Sequence, residues 1–173
     1  MLVDRIIGAF TFRKGVYAEV EKDPTFTSTA WILVAVVAFL NQLGAQAGGG
    51  FLNWLLGAVV GTVFAVAGFA LGAFVINWAG RTFYDADVSF EELVRTLGLA
   101  YVWQVIGFIG ILGFVPVLSC LLAPAMIIAA ILLVVAWFIA AKEALDLSWG
   151  QTIVTVIAGW IALWIVMAIG ALI

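Results

Sequence analysis

Long apolar runs, broken by three short clusters of charge, set the pattern of this chain. Every charged side chain lies between Asp4 and Asp23, between Arg81 and Arg95, or between Lys142 and Asp146. The uncharged stretches cover 24–80, 96–141 and 147–173. An α-helix needs about 20 apolar residues to cross the ~30 Å hydrocarbon layer of a bilayer. The first two stretches each have room for a there-and-back pair, and the last for one crossing. Five helices are predicted. Gly44–Gly50 (GAQAGGG) divides the first stretch, because a glycine triplet is a poor helix interior and an easy loop. Gly113–Ser119 (GFVPVLS) divides the second, where Pro116 lacks a backbone donor. The expected spans are 29–44, 51–79, 96–113, 118–141 and 151–172, with Pro124 tolerated in an early turn of the fourth. Residues 1–28 are expected to form an N-terminal segment, and 29–173 an all-α, polytopic membrane helix bundle.

Composition narrows the class. Of 173 residues, 66% are hydrophobic and 10% charged, against about 45–50% and 25% in soluble domains. A water-soluble globule is excluded, and an integral membrane protein in contact with the lipid bilayer remains. With no His and one Cys, Cys120, a zinc site, a disulfide framework and an imidazole base all lack their residues. No metal and no cofactor is expected. A net charge of −3 offers no basic surface, so no nucleic acid is expected as partner.

The cations give the orientation. Arg5, Arg13, Lys14, Lys22, Arg81, Arg95 and Lys142 all fall in the N-terminal segment, the second loop or the fourth loop. The positive-inside rule places these in the cytoplasm and the C-terminus outside, as in a multi-pass protein of a cell membrane. Ala45-Gln46-Ala47 has the form of a signal-peptidase site, but the polar region before it is longer than in ordinary signal peptides, so the first span is expected to be retained. Trp31, Trp78, Trp137 and Trp149 are expected in the cytoplasmic aromatic belt and Trp54 in the outer one. Trp160 and Trp164 lie deeper, one turn apart on one face, as candidates for lipid or partner contact.

Local signals refine the polar segments. Leu2, Val3, Ile6, Ile7 and Phe10 recur at helical spacing, as in a short helix lying in the headgroup plane. Asp23-Pro24 reads as an N-cap with proline at the first helical position. Ser89-Phe-Glu-Glu92 forms a capping box, and Glu91 or Glu92 is expected to pair with Arg95.

Inside the spans there is no ionisable residue, which argues against ion-coupled transport. Gly57, Gly61, Ala65, Gly68 and Gly72 follow one another at intervals of four, four, three and four, so they share a face on which another backbone can approach. Gly107, Gly110 and Gly113 make a shorter stripe. Gln104 is the only strongly polar residue well inside the third span, and an interhelical hydrogen bond is its expected role. No nucleophile–base pair, phosphate loop or carboxylate dyad is legible, so no catalytic residue is assigned and no enzyme is expected.

Three stretches support a comparison: Tyr17–Asp23 (YAEVEKD), Phe90–Tyr101 (FEELVRTLGLAY) and Ala141–Leu147 (AKEALDL). In order and spacing they resemble the Yip family, named for binding Ypt and Rab GTPases, and specifically its prokaryotic branch. The resemblance implies five spans, a cytoplasmic N-terminus and an outer C-terminus. The eukaryotic Asp-Leu-Tyr-Gly-Pro motif is missing, so the GTPase-related trafficking role is not carried over. For prokaryotic members the resemblance implies membrane organisation or partner binding. The expected function is thus a non-enzymatic scaffold that binds another integral membrane protein or itself. The alternatives are an accessory subunit of a respiratory or photosynthetic complex, and a passive channel or small-solute permease formed by an oligomer.

Overall fold

The computed structural model describes residues 1–47, 50–114 and 116–171, with the side chains of 113–121 excepted. Gly48 and Gly49 of the first glycine loop, Val115 of the second turn and the Cys120 side chain lie outside the described parts. All regular structure among the described residues is helical: α1 (Leu2–Phe10), α2 (Val16–Glu21), α3 (Phe26–Ala45), α4 (Phe51–Tyr84), α5 (Phe90–Ala100) continued by a 3₁₀ helix (Tyr101–Phe114), α6 (Pro116–Leu145) and α7 (Trp149–Gly170). Among the described residues, five helices are long and apolar enough to cross a membrane: Phe26–Ala45, Phe51–Tyr84, Phe90–Leu112, Leu122–Leu145 and Trp149–Gly170.

The helices outrun the apolar stretches that predict them. With 34 residues, α4 is about 51 Å long at 1.5 Å per residue, so the turns carrying Arg81 project beyond a hydrocarbon layer of ~30 Å. It stops where Asp85 turns left-handed (φ 52°), a conformation Asp tolerates because its short polar side chain bonds locally. α3 begins at Phe26, later than Asp23-Pro24 suggests. Asp23 instead accepts hydrogen bonds from the Thr25 backbone N–H (3.1 Å) and hydroxyl, so its side chain organises the turn before the helix. At α5 the capping box forms: Ser89 Oγ accepts from Glu92 N–H (3.2 Å), and Glu92 Oε2 accepts from Ser89 N–H (2.7 Å). Ser148 and Gln151 make a related start for α7, with Gln151 Oε1 accepting from the Ser148 N–H (3.1 Å) and hydroxyl (2.7 Å).

α4 and α7 form the most extensive helix pair, followed by α3 against the 3₁₀ segment. α3 also packs on α4, and α6 on α5 and its 3₁₀ continuation. α6 and α7, though adjacent in sequence, touch comparatively little. Each spanning helix contributes an aromatic ring to a single interior cluster. Phe69 of α4 lies 5.7 Å from Trp31 of α3, 5.4 Å from Tyr101 and 6.0 Å from Trp137 of α6, all near edge-on. Trp160 of α7 joins through Trp137 at 6.1 Å. These separations suit the edge-to-face attraction between ring quadrupoles. Trp137, expected in the interfacial belt, is instead 1% exposed at the centre of this cluster. Trp78 and Trp149, half exposed, remain available to an interface.

The 3₁₀ segment explains the spacing of three between Gln104, Gly107 and Gly110. On an α-helix such residues drift by about 60° per step, whereas at 3.0 residues per turn they form a straight row. That row faces α3: a Cβ on Gly107 would run into the Asn41 side chain, and one on Gly110 would lie 3.0 Å from the Gly44 carbonyl oxygen. Runs of 3₁₀ helix beyond three or four residues are uncommon because the hydrogen bonds are poorer. Here the gain is a close approach of Gln104–Gly110 to Asn41–Gly44 of α3.

Candidate functional site

Two features stand out, one at the charged end of the bundle and one in its interior. At the charged end, residues 1–23 are folded onto the helices. α1 turns Ala9, Ile6 and Phe10 inward and leaves Leu2, Val3 and Ile7 exposed. The expected apolar face is therefore divided, because small Gly8 and Ala9 let the backbone meet Trp103. That indole donates from Nε1 to the Ala9 carbonyl (3.3 Å) and sits between Phe10 (4.9 Å) and Phe12 (5.5 Å). α2 packs on α5 and buries Val16, Tyr17 and Val20.

Arg95 holds this arrangement. Only 6% exposed, it donates from Nε (2.9 Å) and Nη2 (2.5 Å) to the Glu21 carbonyl and from Nη1 to Thr27 Oγ1 (3.1 Å). Its approach to Glu92 is only 3.9 Å. The pairing expected within α5 is thus secondary to a cation placed on the C-terminal carbonyl of α2, where the helix dipole is negative. Peripheral ion pairs complete the cap: Arg5–Asp23 (2.7 Å), Arg13–Asp4 (2.9 Å) and Arg13–Glu19 (2.8 Å).

These pairs give the cap a pH dependence. The hydrogen bond from Arg13 holds the Asp4 carboxyl below its ordinary 3.8, and hydrogen bonds from Thr25 and then Arg5 do the same for Asp23. A depressed carboxylate stabilises the folded form above the unfolded value and loses that effect as pH falls through the folded one. Burial pushes the Glu21 carboxyl above its ordinary 4.5, with Glu92 adding repulsion, so Glu21 acts in the opposite sense. Docking is expected to hold from pH 7 to about 5 and to loosen only below 3.8. Hydrogen exchange of residues 5–20 against pH checks this, and release beginning near pH 6 would contradict it.

The interior feature surrounds Gln104. Three cavities, of about 170, 200 and 120 Å³, all border this residue. The first also touches Asn41, Gln42 and Tyr101, and the second touches Trp137, Trp160 and Trp164. The interhelical hydrogen bond expected of the Gln104 side chain is made by its backbone: Asn41 Nδ2 donates to the Gln104 carbonyl at 2.9 Å. Among the described residues the Gln104 side chain has no hydrogen bond, and it borders all three cavities. Asn41→Leu is expected to cost about 1 kcal/mol of bundle stability, the usual worth of such a bond in a bilayer, and a thermal melt in detergent measures it.

The glycine candidates are distributed between neighbours. Gly57 faces Gln46, the residue just past α3, and Gly61 faces Gln42 of α3, whereas Gly68 and Gly72 face Leu163 and Gly159 of α7. Ala65, between them, is buried and borders the first cavity. Trp160 is partly buried against Trp137 and Phe138, and Trp164 is 68% exposed. Two polar roles escaped the sequence reading. Asn77 donates to the Val88 carbonyl (3.0 Å), tying down the loop after α4, and Trp54 donates to the Leu43 carbonyl (2.8 Å), closing α3 onto α4. An Asn or Trp near a span end is the available signal, but its partner is a backbone atom without sequence identity.

Five apolar spanning helices around an aromatic interior, with the cations gathered at one end, define a polytopic α-helical membrane protein. The chain belongs to the Yip1 family: residues 7–172 match the Yip1 domain, so the match takes in most of the docked N-terminal segment as well as the spans. Comparisons with curated proteins and with solved structures found no match.

Proposed function

We propose that this protein is a non-enzymatic scaffold of a prokaryotic plasma membrane, with its charged end in the cytoplasm, and that it binds another integral membrane protein or a second copy of itself. The observation that carries the reading is the docked cap. A buried arginine, Arg95, is committed to the Glu21 carbonyl and the Thr27 hydroxyl, a cost that a free tail does not require. The cap holds the exposed Leu2, Val3 and Ile7 in fixed positions beside the bundle. The α4 glycines face α3 and α7, which leaves the cap and the outward faces of the spans for a partner.

Purification of tagged protein in mild detergent, followed by native mass spectrometry, is expected to yield a stoichiometric companion or a defined homo-oligomer. Arg95→Leu should release it while the spans remain folded. A clean monomer without a companion would overturn the proposal. The accessory-subunit reading draws on exposed Trp164 beside the interior cavity, and co-migration with a redox-active complex on a native gel is its test.

A further inference from the structure

We infer that the cavities around Gln104 form an intramembrane binding site for an uncharged amphiphile whose head bears carbonyl oxygens, held with its apolar chain in the lipid. The inference is independent of the partner reading above.

The lining fixes the chemistry. Gln104 borders all three cavities, and Asn41, Gln42 and the indoles of Trp137 and Trp164 stand around them. The residues that border the three cavities include no Asp, Glu, Lys or Arg. A charged head there would be buried without a counter-ion, at a cost no other contact offsets. The amides and indoles supply N–H donors, which need acceptor oxygens. One of these groups is buried without a mate among the described residues. Trp137 is 1% exposed and its Nε1–H has no acceptor. An orphaned donor in a low-dielectric interior is costly, and an acceptor oxygen on an occupant beside the Trp137 indole removes that cost.

Size and access agree. A cavity of about 150 Å³ is enough for benzene, so the spaces of about 170 and 200 Å³ each take a six-membered ring or a glycerol ester head. The larger one lies between α6 and α7, the loosely associated pair, and is bordered by Trp164, 68% exposed. A chain attached to the head leaves by that side into lipid, past the faces of Trp160 and Trp164. Two sources share this chemistry: a benzoquinone with an isoprenoid tail, and a neutral diacylglycerol.

The experiment uses the full chain in nanodiscs of phosphatidylcholine. A short-chain benzoquinone and, separately, dioleoylglycerol are titrated by photo-crosslinking competition. One of the two is expected to bind saturably, and which one identifies the source. Gln104→Leu should weaken it about tenfold, the change expected for losing one good hydrogen bond, and Gln104→Asn should recover part of the loss. Ala130→Phe, which fills space beside Gln104, should block binding without removing a polar group, and thus guards against misfolding of the glutamine variant. Saturable binding of neither probe, or binding unchanged in both Gln104→Leu and Ala130→Phe, overturns the inference. Ordered water alone in the cavities would appear as the first of these outcomes.

Discussion

Gly44→Leu is expected to abolish recovery of a monodisperse protein from mild detergent. A Cβ on Gly44 would overlap the Gly107 carbonyl and stand 3.0 Å from the Phe108 Cα. Both obstacles are backbone, so neither can rotate away as a side chain does. The helices must separate, breaking the row that Gln104, Gly107 and Gly110 make along α3. Overpacking a well-packed interior costs about 1–3 kcal/mol, and a leucine placed against backbone lies at or beyond the top of that range. A graded series tests the cause. Gly68→Ala, whose Cβ would sit 3.3 Å from the Leu163 carbonyl oxygen, should cost less, and Gly150→Ala, with nothing within 4 Å, should cost almost nothing. The monodisperse yields of the three variants give the order, and equal recovery of Gly44→Leu and Gly150→Ala would refute this close approach.

Arg95→Leu should free residues 1–23 while leaving the five spans in place. The substitution strands the Glu21 carbonyl and the Thr27 hydroxyl and removes the cation at the end of α2. Hydrogen bonds from a charged donor are worth about 1.5–3 kcal/mol, and the leftover buried carbonyl adds to the loss. Docking is expected to weaken by about 3 kcal/mol, roughly a hundredfold in population. Arg95→Lys should be intermediate, because an ammonium cannot fork between the carbonyl and the hydroxyl as a guanidinium does. Hydrogen exchange reads the change directly: residues 5–20 gain exchange while residues 65–76 do not. Trp103 offers a second signal, since undocking exposes an indole now enclosed by Phe10 and Phe12.

The contrast between these two positions shows how far the residues speak for themselves. Gly107 and Gly110 are visible as a stripe, but at α-helical periodicity they wander around the axis. They line up only because close approach to α3 favours a tighter helix. Arg95 reads as the partner of Glu91 or Glu92, its neighbours on α5, because only nearby residues are in view. Its true acceptor is a main-chain oxygen 74 positions away, and a carbonyl leaves no mark in a sequence. Trp137 follows the same logic. Its distance from Lys142 suggests an interface, yet α4 and α7 bring Phe69 and Trp160 around it and close it in.

What the amino-acid order determined by itself is the set of properties that depend on local chemistry. These are five spans from apolar length, cations confined to three segments, a capped start for α5, and the family. Tertiary structure alone decided which faces meet, how the third span is wound, where the N-terminal segment rests and which polar groups are left around Gln104. Hydrophobic length and capping are properties of a dozen consecutive residues. Close packing instead joins backbones that sequence keeps far apart, and its outcome depends on shapes that no single segment possesses.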